Sequence, residues 1–171
     1  MATVTLNIGT LPQQRGTLIF TGSTDIGPMP IVVTLPIVQF SPSAPLSFIS
    51  DEYGKIELTG EVLADENGSF GTFEHPDDAL VSPGLANYYV GTGVVTWTPE
   101  PTTAVPTPTA RNVGNVNVFE FTQTSELLDH WNRMGGTRFK DYRPVTQQSA
   151  TVKLEMDEWT AENMRLALMA A

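Results

Sequence analysis

The sequence predicts a mainly β fold, either a β-sandwich or a partly rolled barrel with one short α-helix packed on it. Most apolar residues alternate with polar ones, which is the period of a strand with one buried face. Glycine and proline recur between these runs, as turn residues do. Only one segment, near the end of the chain, has a helical period. A length of 171 residues is typical of a single domain, so we expect one domain over 1–171.

About eight strands are predicted, and their alternation is clearest where β-branched residues are frequent. In the run 55–64, Ile56, Leu58 and Val62 alternate with polar side chains. Pro36 lies inside another run and favours an edge strand or a bulge there. The predicted strands are 4–8, 17–21, 31–40, 55–64, a strand pair or one kinked strand over 88–98, 115–122 and 150–156.

The helix is predicted over about 161–170, because Thr160 is a good N-cap and the period changes after it. Met164 and Leu168 are four residues apart, so they would form the stripe that packs on the sheet. A helix this short is unstable alone and must dock on the sheet or on a neighbour.

Two long segments are predicted to be irregular. The segment 99–110 has four prolines and should be an extended, solvated loop. The segment 124–144 is polar, with Gly135-Gly136 as a flexible point, but its apolar content exceeds that of a plain linker. A long loop of this kind is typical of a contact surface. Its large apolar side chains are Leu127, Leu128, Trp131, Phe139 and Tyr142.

Composition excludes several classes of function. The net charge of −10 argues against a nucleic-acid binder, which needs a basic face. The absence of cysteine excludes disulfides and thiolate metal sites. No run of 18 apolar residues and no signal-peptide pattern is present, so we expect a protein made in the cytoplasm without a membrane span.

No catalytic site, metal site or cofactor site can be assembled from the motifs, so we expect a protein that is not an enzyme. His75 lies in EHPDD, where a solvated acidic loop explains the cluster better than a metal site. His130 could pair with Asp129, but no nucleophile motif accompanies it. Glu57 and Glu61 would be about 13 Å apart on one strand face, too far for a glycosidase pair.

The segment 112–170 resembles the major tail tube proteins of long-tailed, non-contractile phages. The similar features are a Leu-x-His element at Leu128-Asp129-His130, the pair Lys140-Asp141 and an acidic turn before the helix at Asp157-Glu158. Residues 1–78 resemble the C-terminal half of that family and 79–171 its N-terminal half. The halves therefore stand in circularly permuted order, with the old ends fused near Asp77-Asp78.

The resemblance implies the phage tail-tube fold and a structural virion protein. Members form hexameric rings that stack into a tube with tape-measure, terminator and baseplate proteins as partners, and DNA passes through without specific binding. An acidic inner wall would repel DNA and let it slide. The residues we expect on this lumen face are Lys55, Glu57 and Glu61.

The long loop is basic where the rest of the chain is acidic, so we expect it to reach a neighbouring subunit or ring. Trp131 and Phe139 would become buried anchors there. A loop folded back on its own subunit is the alternative. Two other functions stay open: a tail-terminator or baseplate ring of the same fold, and a carbohydrate-binding β-sandwich. The predicted contact residues are Leu128, His130, Trp131, Arg133, Arg138, Phe139, Lys140 and Arg143.

Overall fold

The computed structural model describes residues 3–23, 31–41, 45–46, 54–75 and 91–170. The fold is mainly β, with antiparallel sheets and one short helix, as the sequence predicted. The predicted permutation junction at Asp77-Asp78 and the first part of the predicted strand 88–98 lie outside the described residues. The elements are β1 (Gln14–Ser23), β2 (Val32–Phe40), β3 (Ile56–Val62), β4 (Thr72–Glu74), β5 (Thr92–Pro99), β6 (Arg111–Asn112), β7 (Val116–Leu127), β8 (His130–Asn132), β9 (Phe139–Tyr142), β10 (Val145–Met156) and α1 (Ala161–Leu168).

The main sheet has the strand order β6-β5-β1-β2-β3-β10-β7, with β4 paired to the other half of β2. A flat sheet of seven strands would be about 29 Å wide, because neighbouring strands are about 4.8 Å apart. Its two outermost strands are joined by residues 113–115 alone. A link of that length spans at most about 14 Å, so the sheet must roll until its edges approach. This geometry matches the partly rolled barrel predicted from the sequence.

The inside of the rolled sheet is the hydrophobic core. β3 shows the strict alternation that was predicted, with Ile56, Leu58 and Val62 buried and the residues between them exposed or lacking a side chain. Gly60 is the inward position without a side chain, and a Cβ there would lie 2.9 Å from ring atoms of Phe40. Glycine therefore makes room for the buried aromatic ring of the neighbouring strand.

Pro36 lies in β2, which is paired on both sides and is not an edge strand. The register between β1 and β2 shifts here, since Gly16 pairs with Val38 but Leu18 pairs with Leu35. Thr17 faces the extra residue and donates a hydrogen bond from its Oγ1 to the carbonyl of Pro36 at 2.9 Å. Of the two alternatives for this proline, the bulge is correct.

The helix begins as predicted, but its most buried residues are not those of the predicted stripe. Thr160 is the N-cap, and its Oγ1 accepts a hydrogen bond from the backbone N–H of Asn163 at 3.2 Å. Asn163 and Leu166 are the buried helical residues, whereas Met164 and Leu168 are half-buried. The predicted stripe is therefore right only in part: Met164 packs against the core, but Asn163 is drawn inward beside it by hydrogen bonds to the carbonyls of Val113 and Glu158.

Two other predictions on local structure have clear outcomes. The predicted strand 4–8 is wrong: this segment is not a strand, and Val4 and Ile8 are 57% and 69% exposed. The polar and apolar residues alternate there, but the segment pairs with no strand among the described residues. The loop 99–110 is confirmed as largely exposed and irregular from Glu100 onward.

The prediction that the segment 124–144 is irregular was wrong, because most of it forms strands. β7 and β10 pair along 12 residues each, from Val116 opposite Met156 to Leu127 opposite Val145. Beyond them, β8 and β9 form a second short hairpin. Gly135 and Gly136 have positive φ angles of 104° and 88° and make the turn between these strands.

Candidate functional site

The candidate site is an exposed β arm, which we define as residues 123–148, with a tip formed by residues 128–144. No residue of the arm is buried, although three are half-buried. The core ends where the arm begins, because Ala150 is the first buried residue of β10. The arm is therefore a two-stranded hairpin with both faces in solvent. Such a hairpin is at best marginally stable without further contacts.

The sheet register shows where the arm leaves the body. Val62, the last residue of β3, pairs with Ala150 at the root of the arm. The helix lies at the opposite end of the sheet, where Trp159 donates a hydrogen bond to the carbonyl of Gly54 just before β3. The arm and the helix thus occupy opposite ends of the rolled sheet, and the tip points away from the body.

Ion pairs hold the tip together. Lys140 Nζ is 2.6 Å from Asp129 Oδ2, and Arg143 Nε is 3.0 Å from Asp129 Oδ1. His130 Nδ1 is 2.6 Å from Asp141 Oδ1. The hydrogen bond from Lys140 lowers the pKa of Asp129, and the hydrogen bond from His130 lowers the pKa of Asp141. Both carboxylates are thereby kept ionised.

The tip presents a tryptophan flanked by cations. The carbon Cζ of Arg138 lies 4.8 Å from the ring centroid of Trp131, and Lys140 Nζ lies 5.3 Å from it. Trp131 pairs with Lys140, whereas Phe139 pairs with Asn132, so the two aromatic side chains lie on opposite faces of the tip. Trp131 and Phe139 are 41% and 49% exposed, so neither is buried within the subunit.

The alternative of a loop folded back on its own subunit does not describe the arm. Among the residues that the structure describes, the ion pairs and cation–π contacts of the tip join tip residues to each other. The other exposed apolar side chains of the arm are Leu127, Leu128, Met134, Tyr142 and Val145. An exposed patch of this kind is typical of an interaction site.

The predicted lumen residues are separate from the arm and lie on the outer face of β3. Glu57 and Glu61 are exposed, and Lys55 precedes the strand and forms a 3.0 Å ion pair with Glu155. Lys153 on β10 pairs with Thr59 on β3 and with Glu120 on β7. Lys153 and Glu120 therefore lie on the same face of the sheet as Glu57 and Glu61. This face is polar and carries carboxylates of three strands.

An apolar groove at the root of the arm was not predicted from the sequence. It has a volume of about 650 Å³ and lies between β7 on one side and β2, β4 and the turn 68–71 on the other. Phe20 and Phe119 stack with ring centroids 5.0 Å apart along its floor. Phe73 and Phe121, which also line it, are 64% and 40% exposed. The alternation of Phe119, Phe121 and Gln123 indicated that these side chains share one face of a strand, but it does not show which strand they face across the groove.

Metal and membrane features were searched within the same described ranges. No group of three or more His, Asp or Glu side chains that could hold a metal ion occurs among them. His75 stacks on Phe73, and its predicted acidic neighbours Asp77 and Asp78 lie outside the described residues. No described helix is long and apolar enough to cross a membrane.

A protein-family model matches residues 1–73 and 88–171, and its description is "Protein of unknown function UCP028589". The chain belongs to this family. Comparisons with curated proteins and with solved structures gave no match. The match covers the sheet, the arm and the helix, so the arm is part of the family's shared region. The family description names no activity, and the resemblance to tail tube proteins stays a prediction.

Proposed function

We propose that this protein is a structural subunit that self-assembles into rings stacking as a phage tail tube, and that it has no catalytic role. The observation that supports this proposal best is the arm, a long hairpin that leaves the body with both faces exposed. A two-stranded hairpin with exposed aromatic residues needs a partner to order and cover it. A neighbouring copy supplies such a partner at every position of a repeating assembly.

The charge distribution supports self-association. The arm carries four basic and three acidic side chains, while the whole chain has a net charge of −10. An arm with a small net positive charge is attracted to the acidic body of another copy. Two arms repel each other less than two bodies do, so contacts between an arm and a body are favoured.

The polar outer face of β3 supports the tube. Glu57, Glu61 and Glu120 would present carboxylates to a lumen, where they would repel the phosphates of passing DNA. Lys55 and Lys153 on that face are fewer than its carboxylates. In this proposal DNA passes without specific binding, and the protein is made in the host cytoplasm and ends in the virion.

Contacts between residues 9–11 and the end of the helix support the permuted order of halves. The backbone N–H of Gly9 donates to the carbonyl of Leu168 at 3.0 Å, and that of Leu11 to Met169 at 2.9 Å. Circular permutation requires termini that lie close together, so that old ends can be joined and new ends opened. The contacts of Gly9 and Leu11 with the end of the helix are those expected if the family's chain runs from the helix into residues 3–8.

Electron microscopy of the purified protein in negative stain tests the proposal. Long tubes of constant diameter are expected. Single rings would instead favour a tail-terminator or baseplate ring of the same fold, and dispersed monomers over a wide range of concentration and salt would refute self-assembly. A glycan screen tests the carbohydrate-binding alternative. That alternative needs an open aromatic platform, whereas the ring of Trp131 carries Arg138 and Lys140 close to it.

A further inference from the structure

The groove at the root of the arm and the tip at its end have complementary surfaces. The wall segment 63–75 borders the groove and carries Asp65, Glu66 and Glu74 with no lysine or arginine. Asp65 Oδ1 accepts hydrogen bonds from the backbone N–H groups of Asn67 and Ser69 at 2.9 and 2.8 Å, which lower its pKa and keep it ionised. The groove is therefore apolar inside and acidic along one wall.

The tip has the opposite arrangement. Its exposed Trp131 is flanked by Arg138 and Lys140. Arg133 and Arg138 form no ion pair with any residue in the described ranges, and neither do Glu66 and Glu74. An aromatic side chain with cations beside it matches an apolar groove with carboxylates along its wall.

In its own subunit the tip lies away from the groove, because the paired strands of the arm lead away from it. Gln123 lines the groove, and Trp131 is eight residues further along the arm. At about 3.3 Å per residue these two residues are up to about 26 Å apart. Pairing between β7 and β10 continues to Leu127 opposite Val145, so the hairpin does not fold back before the tip.

We propose that the Trp131 face of one copy's tip inserts into the groove of a second copy, with Arg133 and Arg138 beside the acidic wall segment. This inference rests on the proposed self-assembly and names the two surfaces that meet. Each copy has one tip and one groove, so in the proposed rings the contact is head-to-tail and repeats from copy to copy. A closed dimer of the unchanged protein, in which two copies exchange tips about a two-fold axis, would contradict the ring arrangement.

Two complementary variants test this pairing in the full chain. Variant one carries Trp131→Ala with Arg138→Glu, which leaves the groove intact and removes the tip surface. Variant two carries Phe73→Arg, which leaves the tip intact and places a cation in the groove; Phe73 is 64% exposed, so the fold should tolerate the change. Circular dichroism and thermal unfolding establish that both variants are folded.

Analytical ultracentrifugation gives the result. Each variant alone should be monomeric where the unchanged protein assembles, with self-association weakened by at least about tenfold. An equimolar mixture should form a 1:1 dimer and nothing larger, because it contains one working tip and one working groove. A mixture that stays monomeric while the unchanged protein assembles would overturn the tip–groove contact but leave self-assembly standing. If the unchanged protein is itself monomeric, the proposed function fails first.

A charge exchange provides the second test and identifies the acidic wall. Arg138→Glu and Glu66→Lys should each weaken assembly, and the two changes in one chain should restore it, because the exchanged charges attract again. Glu162→Lys on the helix is a control with the same change of net charge as Glu66→Lys and should leave assembly unchanged. Additive losses in the double variant would contradict the pairing. Filling of the groove by a small apolar molecule without loss of assembly would contradict it as well.

Discussion

Removing the indole of Trp131 is the sharpest test of the arm's role in self-association. The side chain is 41% exposed in the subunit, so less than half of its surface remains to be covered by a partner. A tryptophan side chain offers up to about 250 Å², so about 100 Å² would become buried on assembly. At about 25 cal/mol per Å² this area contributes about 2.5 kcal/mol, or roughly 60-fold in the dissociation constant.

The assay is the concentration at which the protein assembles, followed by sedimentation or light scattering. Trp131→Ala should raise that concentration by roughly 60-fold for each contact that depends on the tip. The thermal unfolding midpoint should hardly change, because the arm contains no residue of the hydrophobic core. Val105→Ala is a suitable control, since Val105 is 52% exposed in the loop 99–110. Unchanged assembly of a folded Trp131→Ala variant would refute the reasoning.

Three further outcomes follow from the same structure. Asn163→Ala should lower the free energy of unfolding by about 3 kcal/mol in urea denaturation, because it leaves buried backbone carbonyls without their donor. The tip should lose the charges of Asp129 and Asp141 only in acid: both carboxyl groups have lowered pKa values, so the contribution of these charges is present above about pH 4 and disappears below it. Replacing Glu57 and Glu61 together by lysine should make assembled particles retain DNA in a salt-dependent manner.

These outcomes have their own controls. A loss below about 1 kcal/mol for Asn163→Ala would show that water replaces its hydrogen bonds. The nuclear magnetic resonance signal of the Trp131 indole reports the tip, and a change centred above pH 5 would assign it to groups other than the two aspartates. Glu100→Lys with Glu162→Lys gives the same net charge on other surfaces. Equal DNA retention by that control would remove the special role of the β3 face.

The strand pattern and the start of the helix could be predicted from the sequence because they depend on local patterns. The alternation in β3 and the cap at Thr160 act over a few residues and need no knowledge of the partner strands. The buried residues of α1 could not be predicted in full from the sequence. Asn163 faces inward because the carbonyls of Val113 and Glu158 accept its hydrogen bonds. The segment 4–8 shows the reverse case, in which alternation exists but no strand pairs with it.

The arm could be predicted from the sequence only in part. Its apolar and basic residues indicated a contact segment, but its polarity hid the strands, because both faces lie in solvent and the core pattern is absent. The pair Gly135-Gly136 between two short runs was the available hairpin signal. The groove could not be predicted at all. It arises where Phe73 and Phe121, 48 positions apart in the sequence, face each other across the rolled sheet.

A cryo-electron microscopy reconstruction of the assembled protein tests the central claim most directly. We predict a hollow tube of stacked rings in which Glu57 and Glu61 face the lumen and each arm contacts a neighbouring copy. A protein that stays monomeric, or an assembly in which the β3 face lies on the outside and the arms remain uncovered, would contradict the account.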